Sequence, residues 1–144
     1  MYLIDTNVIS EARKKSRANA GVIEFFDRVA STGDPIYLSV ITVGELRRGV
    51  ELIRVRGDIE QARLLEDWLL TVLEQYSDKV LTLDADAAQV WGRLRVPNPE
   101  NALDKQIAAI ALVHDLTVVT RNAADFAGTG VKVVNPFAEG GFAQ

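Results

Sequence analysis

Five short, almost unbroken apolar runs, separated by longer helical patterns, restrict most strongly what this chain can fold into. They are Tyr2–Ile4, "IYLS" from Ile36, "KVLTL" from Lys79, "LTVVT" from Leu116 and "VKVVN" from Val131. A strand wetted on one face alternates polar and apolar residues, whereas a strand covered on both faces has no need to. Helices must therefore lie on both sides of the sheet, and strands separated by helices run parallel through right-handed crossovers. The predicted fold is α/β, a three-layer α/β/α sandwich around a mostly parallel five-stranded sheet.

The intervening segments carry helical periodicity. "NAGVIEFFDRVAS" sets Val22, Phe25, Phe26 and Val29 on one stripe. "TVGELRRGVELIRV" and "DIEQARLLEDWLLTVLEQY", broken at Gly57, predict a helical hairpin over about 42–76. On it Leu46, Val50, Leu69 and Leu73 are candidates for a surface that binds a partner helix or a second subunit. "ADAAQVWGRLRV" is a helix stopped by Pro97 and Pro99, and "ALDKQIAAIALVHD" a helix rich in small residues. With 144 residues, 48% of them hydrophobic, and no internal repeat, residues 1–144 suit one domain.

Composition removes several chemistries. There is no cysteine, which excludes a disulfide framework and a thiolate zinc site. The single histidine, His114, reads as a helix C-terminal or surface residue and leaves little room for a Ser-His-Asp catalyst. No apolar run is long enough to span a bilayer and no signal peptide opens the chain, so a cytoplasmic protein without membrane contact is expected. A net charge of −4 opposes wholesale attraction to nucleic acid. Basic patches remain at 11–17, at Arg47 and Arg48, and at Arg54, Arg56 and Arg63.

The polar residues that interrupt this pattern are acids. Asp5 ends the first strand. Glu45, Asp104 and Asp125 each lie three residues after Thr42, Asn101 and Asn122, as an acid follows an N-cap in the first turn of a helix. Taken singly, each acid has a purely structural explanation: capping and a favourable position in the helix macrodipole. Together they suggest more, because in a parallel sheet all four fall on the edge formed by the strand C-termini, where such folds bind ligands. Converging carboxylates repel unless a cation joins them, and carboxylates without His or Cys suit hard ions such as Mg²⁺ or Mn²⁺. Such a site hydrolyses phosphodiesters with metal-activated water.

The ordered segments "LIDTNVIS", "LSVITVGELRRGV", "LDKQIAAIAL" and "LTVVTRNAADF" resemble the PIN domain family, most closely its VapC-type toxin ribonucleases from toxin–antitoxin pairs. The resemblance covers nearly the whole length. It implies a metal-dependent endoribonuclease with Asp5, Glu45, Asp104 and Asp125 as catalytic residues and metal ligands. Thr6, Asn7, Thr120 and Asn122 would support them. It further implies Mg²⁺ or Mn²⁺ as cofactor, RNA as substrate, a homodimer, and a cognate antitoxin laid along a groove beside the site. Lys105 and the proline-rich "VPNPEN" depart from the family pattern, and Lys105 is placed either to contact substrate phosphate or to compete with metal. Two other readings stand beside this one. One is a catalytically inactive PIN-fold module that binds RNA or a partner. The other is a receiver-like phospho-switch with Asp84 as phosphoacceptor.

Overall fold

A computed structural model describes residues 1–138. Its elements are β1 (Tyr2–Ile4), α1 (Thr6–Ala12), α2 (Ala20–Thr32), β2 (Ile36–Ser39), α3 (Val40–Val55), α4 (Ile59–Gln75), β3 (Val80–Leu81), α5 (Ala85–Leu94), α6 (Ala102–Val113), β4 (Thr117–Val119) and β5 (Val133–Val134). Short 3₁₀ turns cover Lys15–Arg17 and Ala123–Phe126.

All four pairings are parallel, and the strand order is β3-β2-β1-β4-β5. The chain leaves β1 toward β2 on one side and returns to pair β4 on the other, so the order reverses between β1 and β4. A crevice opens beyond the strand ends at such a reversal. A receiver would require the order 2-1-3-4-5. Asp84, the phosphoacceptor that reading needs, instead caps α5 by accepting from the Ala87 N–H at 2.9 Å. The receiver alternative is therefore set aside.

Successive side chains of the central strands face opposite layers. Ile4 and Val119 join Val8, Val22, Phe25, Val29, Leu46, Val50, Leu69 and Val72 under α1 to α4. Leu3 and Val118 join Ile107, Ala108, Ile110, Ala111 and Phe126 under α6 and its neighbours. α6 is buried nearly all round from Ile107 to Ala111, and its alanines let α5 and the sheet approach closely.

Several expectations need correction. α1 had no place in the sequence reading, because its seven residues are too few to display a helical period. β3 and β5 are two residues long rather than five, since each is an edge strand with a single neighbour. Leu46, Val50 and Leu69, offered as a docking surface, are at most 7% exposed and form core under the sheet. Leu73 packs against that same core. Arg47 and Arg54 do not form a free basic patch, because both pair with Glu51 and Glu66 across α3 and α4.

Candidate metal centre

Asp5 occupies the reversal point. Its N–H donates to the Val119 carbonyl at 2.9 Å, which ties the end of β1 to the end of β4. Its carboxylate is 4% exposed and held at both oxygens. Oδ1 accepts from the Thr6 N–H at 2.8 Å, and Oδ2 accepts from the Thr120 hydroxyl at 2.8 Å. Asn7 Nδ2 lies 3.5 Å from Oδ2 and 3.4 Å from the Thr120 hydroxyl. Burial raises the Asp5 pKa, and the hydrogen bonds from Thr120 and Thr6 oppose the rise without cancelling it.

Glu45 projects from the second turn of α3 and is half-buried. The Thr6 hydroxyl donates to its Oε1 at 3.0 Å, linking the start of α1 to α3. Burial raises its pKa, and the charge of Asp5 adds to the rise. Asp104, in the first turn of α6, is pushed up to about 6, by burial first and then by Asp5, Asp125 and Glu45. Asp125, half-buried in the second 3₁₀ turn, raises both Asp5 and Asp104 through its charge. Four acids from four separate segments thus share one electrostatic field at the strand C-terminal edge. Their carboxylates stand apart within it: among the described residues, no three acids are close enough as placed to grip one ion.

Capping does not account for the whole set. Ser39 is the N-cap of α3, accepting from the Thr42 N–H at 3.1 Å, and Thr42 is buried inside the first turn. Asn101 and Asn122 stand at N-cap positions, yet neither side chain makes a capping hydrogen bond. Asn101 sits in the left-handed region, with φ 56°. Among the four acids, Asp5 alone accepts from a helix N–H, so capping explains Asp5 and not the other three.

The supporting residues divide. Thr6, Asn7 and Thr120 bond to the acids or to one another by side chain. Asn122 contributes its main chain, donating its N–H to the Thr120 hydroxyl at 3.0 Å. Lys105 belongs to neither role suggested for it. It is 7% exposed, and its ammonium donates to the Asn98 carbonyl, away from the acids. His114 is the exposed C-cap of α6. Ser39 escaped the sequence reading although it immediately precedes the helical period, the ordinary position of a cap.

Two depressions lie near α1, and one of them reaches the acids. One of ≈ 250 Å³ is lined by Thr6, Arg13, Glu45, Leu46, Leu65 and Trp68, among others. The other, ≈ 480 Å³, runs past Ile9, Arg13, Phe26, Trp68 and Tyr76. The two share Arg13 and Trp68 in their linings; the smaller reaches the acids at Glu45, and none of the four acids lines the larger.

The donor set fits a hard divalent cation. It offers carboxylate oxygens, raised proton affinity from burial and mutual repulsion, and no thiol or imidazole.

Known proteins carry similar chains. The PIN domain model matches residues 2–131. Toxin FitB of Neisseria gonorrhoeae is 34% identical over 143 residues, 95% of this chain and 99% of that one. VapC ribonuclease Y4jK of Sinorhizobium fredii is 33% identical over 144 residues, 95% and 98% of the two chains. The crystal structure of FitAcB from Neisseria gonorrhoeae superposes with a TM-score of 0.83 at 33% identity, covering 96% of this chain and all of that one.

Proposed function

The chain belongs to the PIN domain family, and from that premise we propose that it is an endoribonuclease, the toxin of a toxin–antitoxin pair, dependent on Mg²⁺ or Mn²⁺. One observation carries this reading: the charges of Asp5, Asp125 and Glu45 all reach Asp104, which burial first and then those charges push up to about 6. A protein that maintained such repulsion without using it would sacrifice stability for nothing. The likeness to a named VapC ribonuclease over nearly the full length supports the choice of RNA.

The roles follow from which oxygens are free. Asp5, fixed at both oxygens by Thr6 and Thr120, is the rigid member of the set. Glu45 is tied at Oε1 alone, and Asp104 accepts no hydrogen bond among the described residues, so both can rotate to meet an ion. Asp125, whose charge reaches both Asp5 and Asp104, would complete the set. A bound Mg²⁺ or Mn²⁺ would neutralise these acids, orient the phosphodiester and supply activated water. Thr6, Asn7, Thr120 and the Asn122 main chain hold the acids in register while substrate enters. The depression beside Glu45, with Leu65 and Trp68 for apolar contact, suits a segment of the cognate antitoxin. Homodimerisation belongs to the same reading.

Incubation of the purified protein with structured RNA in Mn²⁺, against EDTA, tests the proposal. Cleavage should require the ion and fall by roughly two to three orders of magnitude in Asp5→Asn, the scale of removing one preorganised group from the reacting charge. Full activity in EDTA, or in Asp5→Asn, would sink the metal mechanism. Metal-independent RNA binding without cleavage would favour the inactive binding module.

A further inference from the structure

An acidic site that cuts a polyanion needs cations beside it, and several arginines of this chain are already engaged. Arg47 and Arg54 are tied to Glu51 and Glu66, and Arg63 to Glu60 and Asp67. Arg121 is different. It directly follows Thr120, whose hydroxyl holds Asp5, and its N–H donates to Asn7 Oδ1 at 3.0 Å. Its carbonyl accepts from Asn135 Nδ2 at 3.3 Å. The Oδ1 of Asn135 accepts from the Phe137 N–H at 3.0 Å, and the Phe137 ring lies 3.9 Å from the Arg121 guanidinium carbon. One asparagine thus fixes both the arginine and the ring on which it stacks.

The strap 135–137 is itself seated deliberately. The Pro136 carbonyl passes so close to α2 that a Cβ on Gly21 would stand 1.9 Å from its oxygen. The guanidinium is exposed, and among the described residues it makes no ion pair. Its charge touches Glu11 only weakly, and that carboxylate already holds Lys14 and the Asn19 N–H. A guanidinium stacked by its face keeps its in-plane donors free, the geometry that grips phosphate oxygens.

Resting on the ribonuclease reading above, we infer that Arg121, stacked on Phe137 and anchored through Asn7 and Asn135, binds a backbone phosphate of the RNA beside the acid cluster. Phe137 is then a positioning residue, acting through Arg121.

Binding of a fluorescein-labelled single-stranded RNA to the Asp104→Asn protein in EDTA, followed by anisotropy across a salt series, tests the assignment. Adding Arg121→Gln should weaken binding about tenfold, the size of one charge-assisted contact. It should also flatten the slope of log affinity against log salt by about 0.7, one phosphate's share. Arg121→Lys should keep the slope and regain only part of the affinity. Phe137→Leu should weaken binding with the slope kept, because the charge remains but its aim is lost. In Mn²⁺, Arg121→Gln in the otherwise native chain should raise KM about tenfold with kcat within about twofold. Unchanged affinity, slope and KM in Arg121→Gln overturn the role of Arg121 while cleavage by the native chain leaves the ribonuclease reading standing. A native chain that neither binds nor cleaves RNA overturns both.

Discussion

Asp104 carries the clearest conflict between folding and function at the scale of a single residue. Its proton affinity is raised in the fold, to a pKa of about 6, while an unfolded aspartate titrates near ~3.9. The folded state therefore binds that proton more tightly than the unfolded chain does, and stability falls as pH rises through the interval between the two values. Without metal, Asp104→Asn should raise the melting temperature at pH 7.5. The gain should shrink through pH 6 and vanish below about pH 4, where the native acid is already neutral. Thermal melts of both proteins in EDTA across that range check this. A lower melting temperature for the variant at pH 7.5 would mean the carboxylate has a structural task instead. Lys105 illustrates what sequence alone hides. Adjacent to Asp104 in the chain, it reads as a contact for substrate phosphate or a competitor of the metal. A helix of 3.6 residues per turn rotates successive side chains by about 100°, which sends the ammonium to the Asn98 carbonyl. Spacing of one residue says nothing about proximity in a helix unless its phase is known.

The elements show why the fold was legible and its local grammar was not. Apolar runs marked all five strands because burial on two faces leaves no polar alternation to confuse them. The helix carrying Glu45 was legible too, but its start was misplaced by three residues: Thr42 looked like the cap and Ser39 is the cap. Both are hydroxyl residues with an acceptor in the right place, and only the residue that leaves helical φ and ψ can cap. That residue was decided by where β2 ends, a tertiary fact. The distinction has a measurable consequence. Ser39→Ala removes the cap from the helix that carries Glu45 and leaves the buried Thr42 N–H unpaired, so it should cost about 1–2 kcal/mol in urea unfolding. Asn101→Gly, at a position with φ 56° and no capping bond, should change stability by no more than about 0.5 kcal/mol. A loss in Asn101→Gly as large as that in Ser39→Ala would show that the Asn101 side chain does cap α6.

For the whole molecule, the decisive fact is that sheet order concentrates acids from four distant segments at one reversal point. Asp5 and Thr120 end the two strands on either side of it, and their hydrogen bond closes the crevice floor. Alternating strands and helices made this edge legible, since parallel crossovers leave no freedom over which end each acid occupies. How far apart the carboxylates stand was not legible, because side-chain separation depends on rotamers and on the charge present. Repulsion held in the metal-free fold should be returned as stabilisation when an ion arrives. At a Mn²⁺ concentration 100 times its dissociation constant, binding to the native state alone adds about 2.7 kcal/mol. For a chain of this length that corresponds to a rise of roughly 5–10 °C in melting temperature. Protons compete for the same oxygens, so the rise should be larger at pH 7.5 than at pH 5.5, on either side of the Asp104 value. Asp5→Asn should lose most of it at both pH values, while Asp84→Asn, altering a helix cap far from the cluster in role, should keep it. Differential scanning calorimetry with and without Mn²⁺ reads each of these shifts. An equal rise in all three proteins would assign the metal to the general surface and deprive the four acids of their common purpose.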